Sequence, residues 1–282
     1  LSQRKGPFNS LKFIRSKEKR LYLYDSGLIS ENDVYAEFYY LHFRQNNSSF
    51  VVDTPNGKVV YDNLSGRWNY KRPFGYQVRK RLQGECRTIT DPILISLTIS
   101  RESILPLMPY HTNLDPVMFS IAHIGEWTRK FRNNLDAFIR RSGQDSEFIG
   151  WVLQFQGDKD GINYNIGFPH IHMIYRGRWL APMNKLCEYW PYCEPQGVDI
   201  SDLKKLRKRY PRKAFSPLSV ANYATRYVSK SGEAIKEGKI HKGYAWLAFT
   251  GGRIFNIRHT KKECEKDLDS QNEKSLEKDI LL

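Results

Sequence analysis

The chain has 282 residues, 40% of them hydrophobic and 13% aromatic, enough for one large domain with a buried core or one domain with a sizeable extension. Lys plus Arg number 45 against 30 Asp plus Glu, a net charge of +15 with a sequence pI near 9.6, and the complement of such a surface is a polyanion, nucleic acid first. No apolar run approaches the roughly 20 residues of a membrane helix, and Leu1-Ser2-Gln3-Arg4-Lys5 lacks the apolar core of a secretory signal; the expectation is a soluble protein of the cytoplasm with no membrane partner.

Residues 1 to 90 are basic, rich in tyrosine and broken by turns, and predict a small β-rich extension. Within it, Phe50-Val51-Val52 and Val59-Val60-Tyr61 flank Pro55-Asn56-Gly57, a hairpin signal. The stretches Arg15 to Arg20 and Lys71 to Arg81 interleave cations with aromatics, which suits a single-stranded nucleic acid and equally suits a solvated basic face. Leu1 in place of Met is what a processed or excised piece would show.

After Asp91-Pro92, Ile93 to Ser100 predicts a central strand with Ser96, Thr98 and Ser100 on one side. Asp115-Pro116 then supplies an N-cap and a helix-starting proline. Ile124, Trp127, Phe131, Leu135 and Phe138 recur at steps of three and four until Ser142-Gly143, predicting a long amphipathic helix packed on the sheet. Phe148 to Gln156 reads as a second strand, with Trp151, Leu153 and Phe155 on one face and Val152, Gln154 and Gln156 on the other. A turn rich in Gly and Asn leads to a third strand, Pro169 to Tyr175. Residues 178 to 215 read as a polar insertion ending in the basic segment Lys204 to Arg209, and Ser216-Pro217 or Ser219 opens a helix that stops at Ser231-Gly232. Tyr244 to Phe255 predicts a last strand region, and residues 261 to 282 a charged tail. The cysteines Cys86, Cys187, Cys193 and Cys264 lack Cys-x-x-Cys spacing and are expected as reduced thiols, although Cys187 and Cys193 stand close enough in sequence to pair or to join a metal site.

Two clusters carry chemistry. His170-Ile171-His172 on a strand projects both imidazoles from one face. With an oxygen donor they make a three-sided site, open to a phosphate oxygen and water, that suits Mg²⁺ or Mn²⁺. The antiparallel neighbour places Gln154 or Gln156 beside them, and Gln154 is preferred as the third ligand. The plainer reading is a pair of histidines satisfied within the fold. Farther on, Tyr223, Tyr227 and Lys230 share one helix face, with Ala221, Ala224 and Val228 on the other. A phenol with an ordinary pKa of about 10 needs a cation or metal to act as a nucleophile at neutral pH; Lys230, Arg226 and a bound metal can supply one. The plainer reading is tyrosines packed against a neighbouring loop.

These motifs resemble those of the HUH endonucleases. His170-Ile171-His172 matches their His-hydrophobic-His motif, and Tyr223-Ala224-Thr225-Arg226-Tyr227-Val228-Ser229-Lys230 is similar to their Tyr-x-x-Lys-Tyr-x-x-Lys motif with Arg226 in place of the first lysine. Ile95 to Ser100 is similar to the first motif, an apolar strand ending in Thr-Leu-Thr. The order is that of the rolling-circle replication initiators of plasmids and phages, over about residues 91 to 260. The resemblance implies an α+β domain, a central antiparallel sheet flanked by helices in a ferredoxin-like or RNA-recognition-like arrangement. It implies a divalent metal, Mn²⁺ or Mg²⁺, on His170, His172 and Gln154, where relatives often carry Glu. It also implies nicking and rejoining of single-stranded DNA at an origin, with or without a hairpin, through a 5′-phosphotyrosine. Tyr227 would then be the initiating nucleophile and Tyr223 its partner in termination. Transposases and relaxases use similar parts, and a non-catalytic single-strand-binding module is the alternative outside this chemistry. No Gly-x-x-x-x-Gly-Lys-Ser/Thr loop is present, so helicase and polymerase are expected from a prokaryotic host.

Overall fold

A computed structural model describes residues 14, 16–39, 49–54, 57–62, 74–87, 91–155, 167–178, 180–194, 196–202, 205, 208, 216, 218–224 and 242–257. The first part holds, in chain order, helices α1 (Lys17–Asp25) and α2 (Glu31–Tyr39), the hairpin β1 (Ser49–Thr54) and β2 (Gly57–Asp62), and helix α3 (Phe74–Arg87). The hairpin stands where Asn56-Gly57 signals it, with Thr54 opposite Gly57. The expected β-rich extension is thus mostly helical among the described residues, and it is not separate. Ile29, Val34 and Phe38 from the α1–α2 region and Leu82 and Cys86 from α3 belong to the same buried cluster as the sheet. Tyrosine enrichment points to strands when read alone, but Leu21, Leu23, Tyr24 and Tyr35 pack against that core from helices.

The central sheet is built from β3 (Pro92–Leu97), β4 (Glu147–Phe155), β5 (Pro169–Arg176), β6 (Val198–Asp202) and β7 (Phe255–Ile257). Its order is β6-β3-β5-β4-β7 and every pairing is antiparallel. A short helix α4 (Arg101–Ile104) and the long α5 (Pro116–Arg141) link β3 to β4, and α6 (Met183–Tyr189) links β5 to β6. That is the βαββαβ succession of ferredoxin-like folds, with β7 added beyond β4. The chain is therefore α+β, as expected.

Helix α5 starts where Asp115-Pro116 predicts, Asp115 Oδ1 accepting from the Met118 amide at 2.8 Å. Its buried stripe, Ile124, Phe131, Leu135 and Ile139, packs on one sheet face with Phe131 and Leu135 wholly enclosed. Each such side chain contributes about 1.5–3 kcal/mol on burial. The Tyr175 hydroxyl, from the same face of β5, donates to Asp136 of α5 at 3.0 Å.

Residues 178 to 215 are not simply a polar insertion: they supply α6 and the edge strand β6. Likewise Tyr244 to Phe255 is not one strand region. It is helix α7 (Lys242–Phe249) followed by β7. Tyr244, Ala245, Trp246, Leu247 and Phe249 are all buried, so α7 shows no polar face from which a helical period could be read. Gly243 lies where a Cβ would come within 2.6 Å of the Phe155 ring, which explains a glycine inside this helix. Cys86, Cys187 and Cys193 are free thiols, and Cys264 lies outside the described residues. No helix among the described residues is long and apolar enough to cross a membrane.

Candidate active site

Strand β5 occupies the middle of the sheet, and its alternation sends Ile171, Met173 and Tyr175 to the α5 face and His170, His172 and Ile174 to the other. Gly167, at φ +85°, turns the chain just before the strand in a conformation that disfavours other residues. The two imidazole centroids are 4.5 Å apart with planes at 81°.

Strand β3 and the residue just past its end meet both rings. Ser96 lies opposite His172, with Ser96 Oγ 3.0 Å from His172 Nδ1, and Thr98 Oγ1 is 3.3 Å from His170 Nδ1. Thr98 stands just beyond the strand, held there by its amide donating to Gly197 O at 2.8 Å and by Trp190 Nε1 donating to its carbonyl at 2.6 Å. With Nδ1 engaged on each ring, Nε2 is the nitrogen left to a ligand. Burial drives the His170 pKa down to about 4, partly opposed by the Asp199 carboxylate. Burial also holds His172 well below its ordinary value, with His170 adding to the effect. Both imidazoles are therefore neutral at pH 7, the form that ligates metal.

Gln154 of β4 lies opposite His170 and is buried, its Nε2 donating to Ala224 O at 2.6 Å. Because the amide is planar, this bond turns Oε1 away from that carbonyl. Ala224 belongs to a helical run over residues 218–224, opened by Ser216, whose Oγ accepts from the Ser219 amide at 3.3 Å. Val220, Ala221 and Ala224 are its buried side, and Gln83 of α3 ties it down by donating to Asn222 Oδ1 at 2.6 Å. Tyr223 is half-buried, its ring 5.5 Å from that of His172.

Four predicted site residues, His170, His172, Gln154 and Tyr223, thus meet on one face of the sheet. Tyr227, Arg226, Lys230 and the alternative ligand Gln156 lie outside the described residues. Among the described residues no three of His, Cys, Asp and Glu converge as a metal cluster, and the donors predicted for a divalent ion on this face are the two imidazoles and the Gln154 amide oxygen.

Asp199 is the residue the sequence reading passes over. It stands on β6 directly opposite Ser96, exposed, and receives the Ser201 hydroxyl at 3.3 Å. Its signal was the alternation Val198-Asp199-Ile200-Ser201-Asp202, five residues inside a stretch otherwise read as polar. No protein-family model matches the chain, nor does any curated protein or solved structure.

Proposed function

We propose that the chain is a metal-dependent single-stranded DNA endonuclease and strand transferase that initiates rolling-circle replication, acting in the cytoplasm of a prokaryotic host. The observation that carries this reading is the neutral pair His170 and His172, with Nδ1 on the hydroxyls of Thr98 and Ser96 respectively, and with the His172 ring 5.5 Å from that of Tyr223. A structural role alone does not account for one buried and one half-buried imidazole set beside a phenol and an amide on one sheet face.

His170, His172 and Gln154 would hold a divalent ion, which when bound would supply Lewis-acid polarisation of the scissile phosphate. The chain does the rest. A tyrosine Oη attacks phosphorus in line, the bond to the 3′ oxygen breaks, the phenol loses its proton and the departing oxygen gains one. The product is a 5′-phosphotyrosine and a free 3′ hydroxyl that primes synthesis. Tyr227 is assigned the first attack and Tyr223 the second, which transfers the strand and closes the displaced circle; Lys230 and Arg226 neutralise phosphate charge. The +15 net charge favours the polymer. Origin DNA is the substrate, and a host helicase and polymerase are the partners.

The test is incubation with a single-stranded oligonucleotide library and Mn²⁺, with and without chelator, resolved on a denaturing gel. The expected result is a metal-dependent covalent adduct that persists in one tyrosine-to-phenylalanine variant and disappears when Tyr223 and Tyr227 are both replaced. Tight binding without an adduct under any metal assigns the chain to single-strand binding alone.

A further inference from the structure

We propose that α1 and the loop around Tyr110 form a second, non-covalent contact for single-stranded nucleic acid, in which Tyr22 and Tyr110 stack on bases. The proposal rests on the function above only in taking single-stranded DNA as the polymer. Tyr110 is 95% exposed and Tyr22 68%, so both rings are open to a stacking partner. Leu28, Leu105 and Leu107 are also at least 49% exposed.

These residues are brought together by one carboxyl group. Asp25, at the end of α1, accepts the Thr112 hydroxyl at 2.9 Å and the Asn113 amide at 2.5 Å, while Asn113 Nδ2 donates to the Asp25 carbonyl. Tyr22 lies one helical turn before Asp25, and Tyr110 two residues before Thr112. The tyrosines therefore flank a clamped junction rather than a loose loop. Lys19 stands one turn before Tyr22, on the same exposed stripe. Ser16 caps the helix, its Oγ accepting from the Lys19 amide at 3.3 Å.

The Tyr110 loop follows the Thr98 segment closely in sequence. From Thr98, whose hydroxyl contacts His170, the chain passes Ser100, which caps α4 by accepting from the Ser103 amide at 3.3 Å, and reaches Tyr110 twelve residues on. The interleaving of cation and ring along α1 favours nucleic acid over a protein partner: every base offers a face to stack, and every linkage a phosphate.

The experiment uses the full chain in chelator, so that no cleavage occurs, and a labelled mixed-sequence oligonucleotide of roughly 30 nucleotides, longer than a typical stacking groove covers. Fluorescence anisotropy compares it with its duplex over a salt series. Replacing Tyr22 and Tyr110 together by Ala is expected to weaken single-strand binding by about tenfold or more, while the paired Phe replacement keeps wild-type affinity and thermal melts stay unchanged. Lys19→Gln is expected to lower the logarithmic salt slope by about 0.7. Unchanged affinity in the Ala pair overturns the proposal. So does an equal loss in the Phe pair, which would assign the effect to hydroxyls. Loss of self-association instead, read by sedimentation, gives the patch to a second copy of the chain and also overturns it. Adduct formation is scored separately with Mn²⁺ at saturating oligonucleotide: a wild type that binds but forms no adduct overturns the nuclease reading alone, and one that binds no single strand overturns both.

Discussion

Ser96 and His172 face each other across β3 and β5, with Ser96 Oγ 3.0 Å from the imidazole Nδ1, and just past the strand Thr98 Oγ1 lies 3.3 Å from His170 Nδ1. Partners of this kind orient a ligating ring, and their loss costs roughly 10–100-fold in metal affinity. Ser96→Ala is therefore expected to weaken Mn²⁺ binding by about tenfold or more in calorimetric titration. Adduct yield should fall at limiting Mn²⁺ and recover at saturation, with single-strand affinity in chelator unchanged. Equal Mn²⁺ affinity in wild type and variant would disconnect Ser96 from metal binding.

Gln154 offers a test of opposite sign. Its side-chain amide donates to Ala224 O at 2.6 Å while buried. A carboxylate at this position has no proton to give that carbonyl, so Gln154→Glu should lose about 1–3 kcal/mol of stability in chelator. The same substitution adds negative charge to a donor set that is otherwise neutral. Mn²⁺ should therefore raise the variant's melting temperature more than it raises that of the wild type. A smaller rise than wild type would remove Gln154 from the metal site.

The histidines also set a pH dependence. His170 is held down to about 4 by burial, against about 6.5 in an unfolded chain. Between these values the unfolded state binds more protons, so stability falls as pH falls. The contribution is fully present above about pH 6.5 and is lost progressively toward pH 4, a differential of about 3 kcal/mol for His170; His172 shifts in the same direction. Urea midpoints should drop between about pH 7 and pH 5, and His170→Asn should flatten that slope. A slope unchanged by the substitution would assign the acid sensitivity elsewhere.

How far such a site can be read from sequence depends on whether local chemistry and burial agree. Helix α5 was legible because Asp115-Pro116 caps it and one face alone is apolar. Strand β5 was legible because its histidines interrupt an apolar run at a spacing that only a strand places on one face. Ser96 and Thr98 were visible as the polar side of β3, but their partners lie 76 and 72 residues away, a distance no local pattern encodes. Strand β6 was hidden because an edge strand of five residues with two aspartates resembles a loop. Helix α7 was mistaken for strand because it is enclosed and aromatic, so tertiary packing overrides the preference of Tyr244, Trp246 and Phe249 for strands.

The least local of these relationships joins α1 to the rest of the fold through Arg20. Its guanidinium meets both Glu37 oxygens, at 2.9 and 3.0 Å, donates to Ile14 O at 2.7 Å and Phe249 O at 3.1 Å, and lies 5.2 Å from the Phe249 ring centroid. Both side chains are largely enclosed, at 14% and 5% exposure, so removing one leaves the other charged and poorly solvated. Glu37→Ala is expected to cost about 3–5 kcal/mol, and Arg20→Lys should not restore what the planar fork provides. Replacing both by apolar residues of similar volume should cost less than either single change, the signature of a penalty from an orphaned charge. Chemical denaturation of the four proteins in a double-mutant cycle reads this directly. Because α1 carries Tyr22, Glu37→Ala should also weaken single-strand binding, and more than it affects Mn²⁺ affinity at the histidines. An equal loss of both would mean that the whole domain has loosened rather than α1 alone.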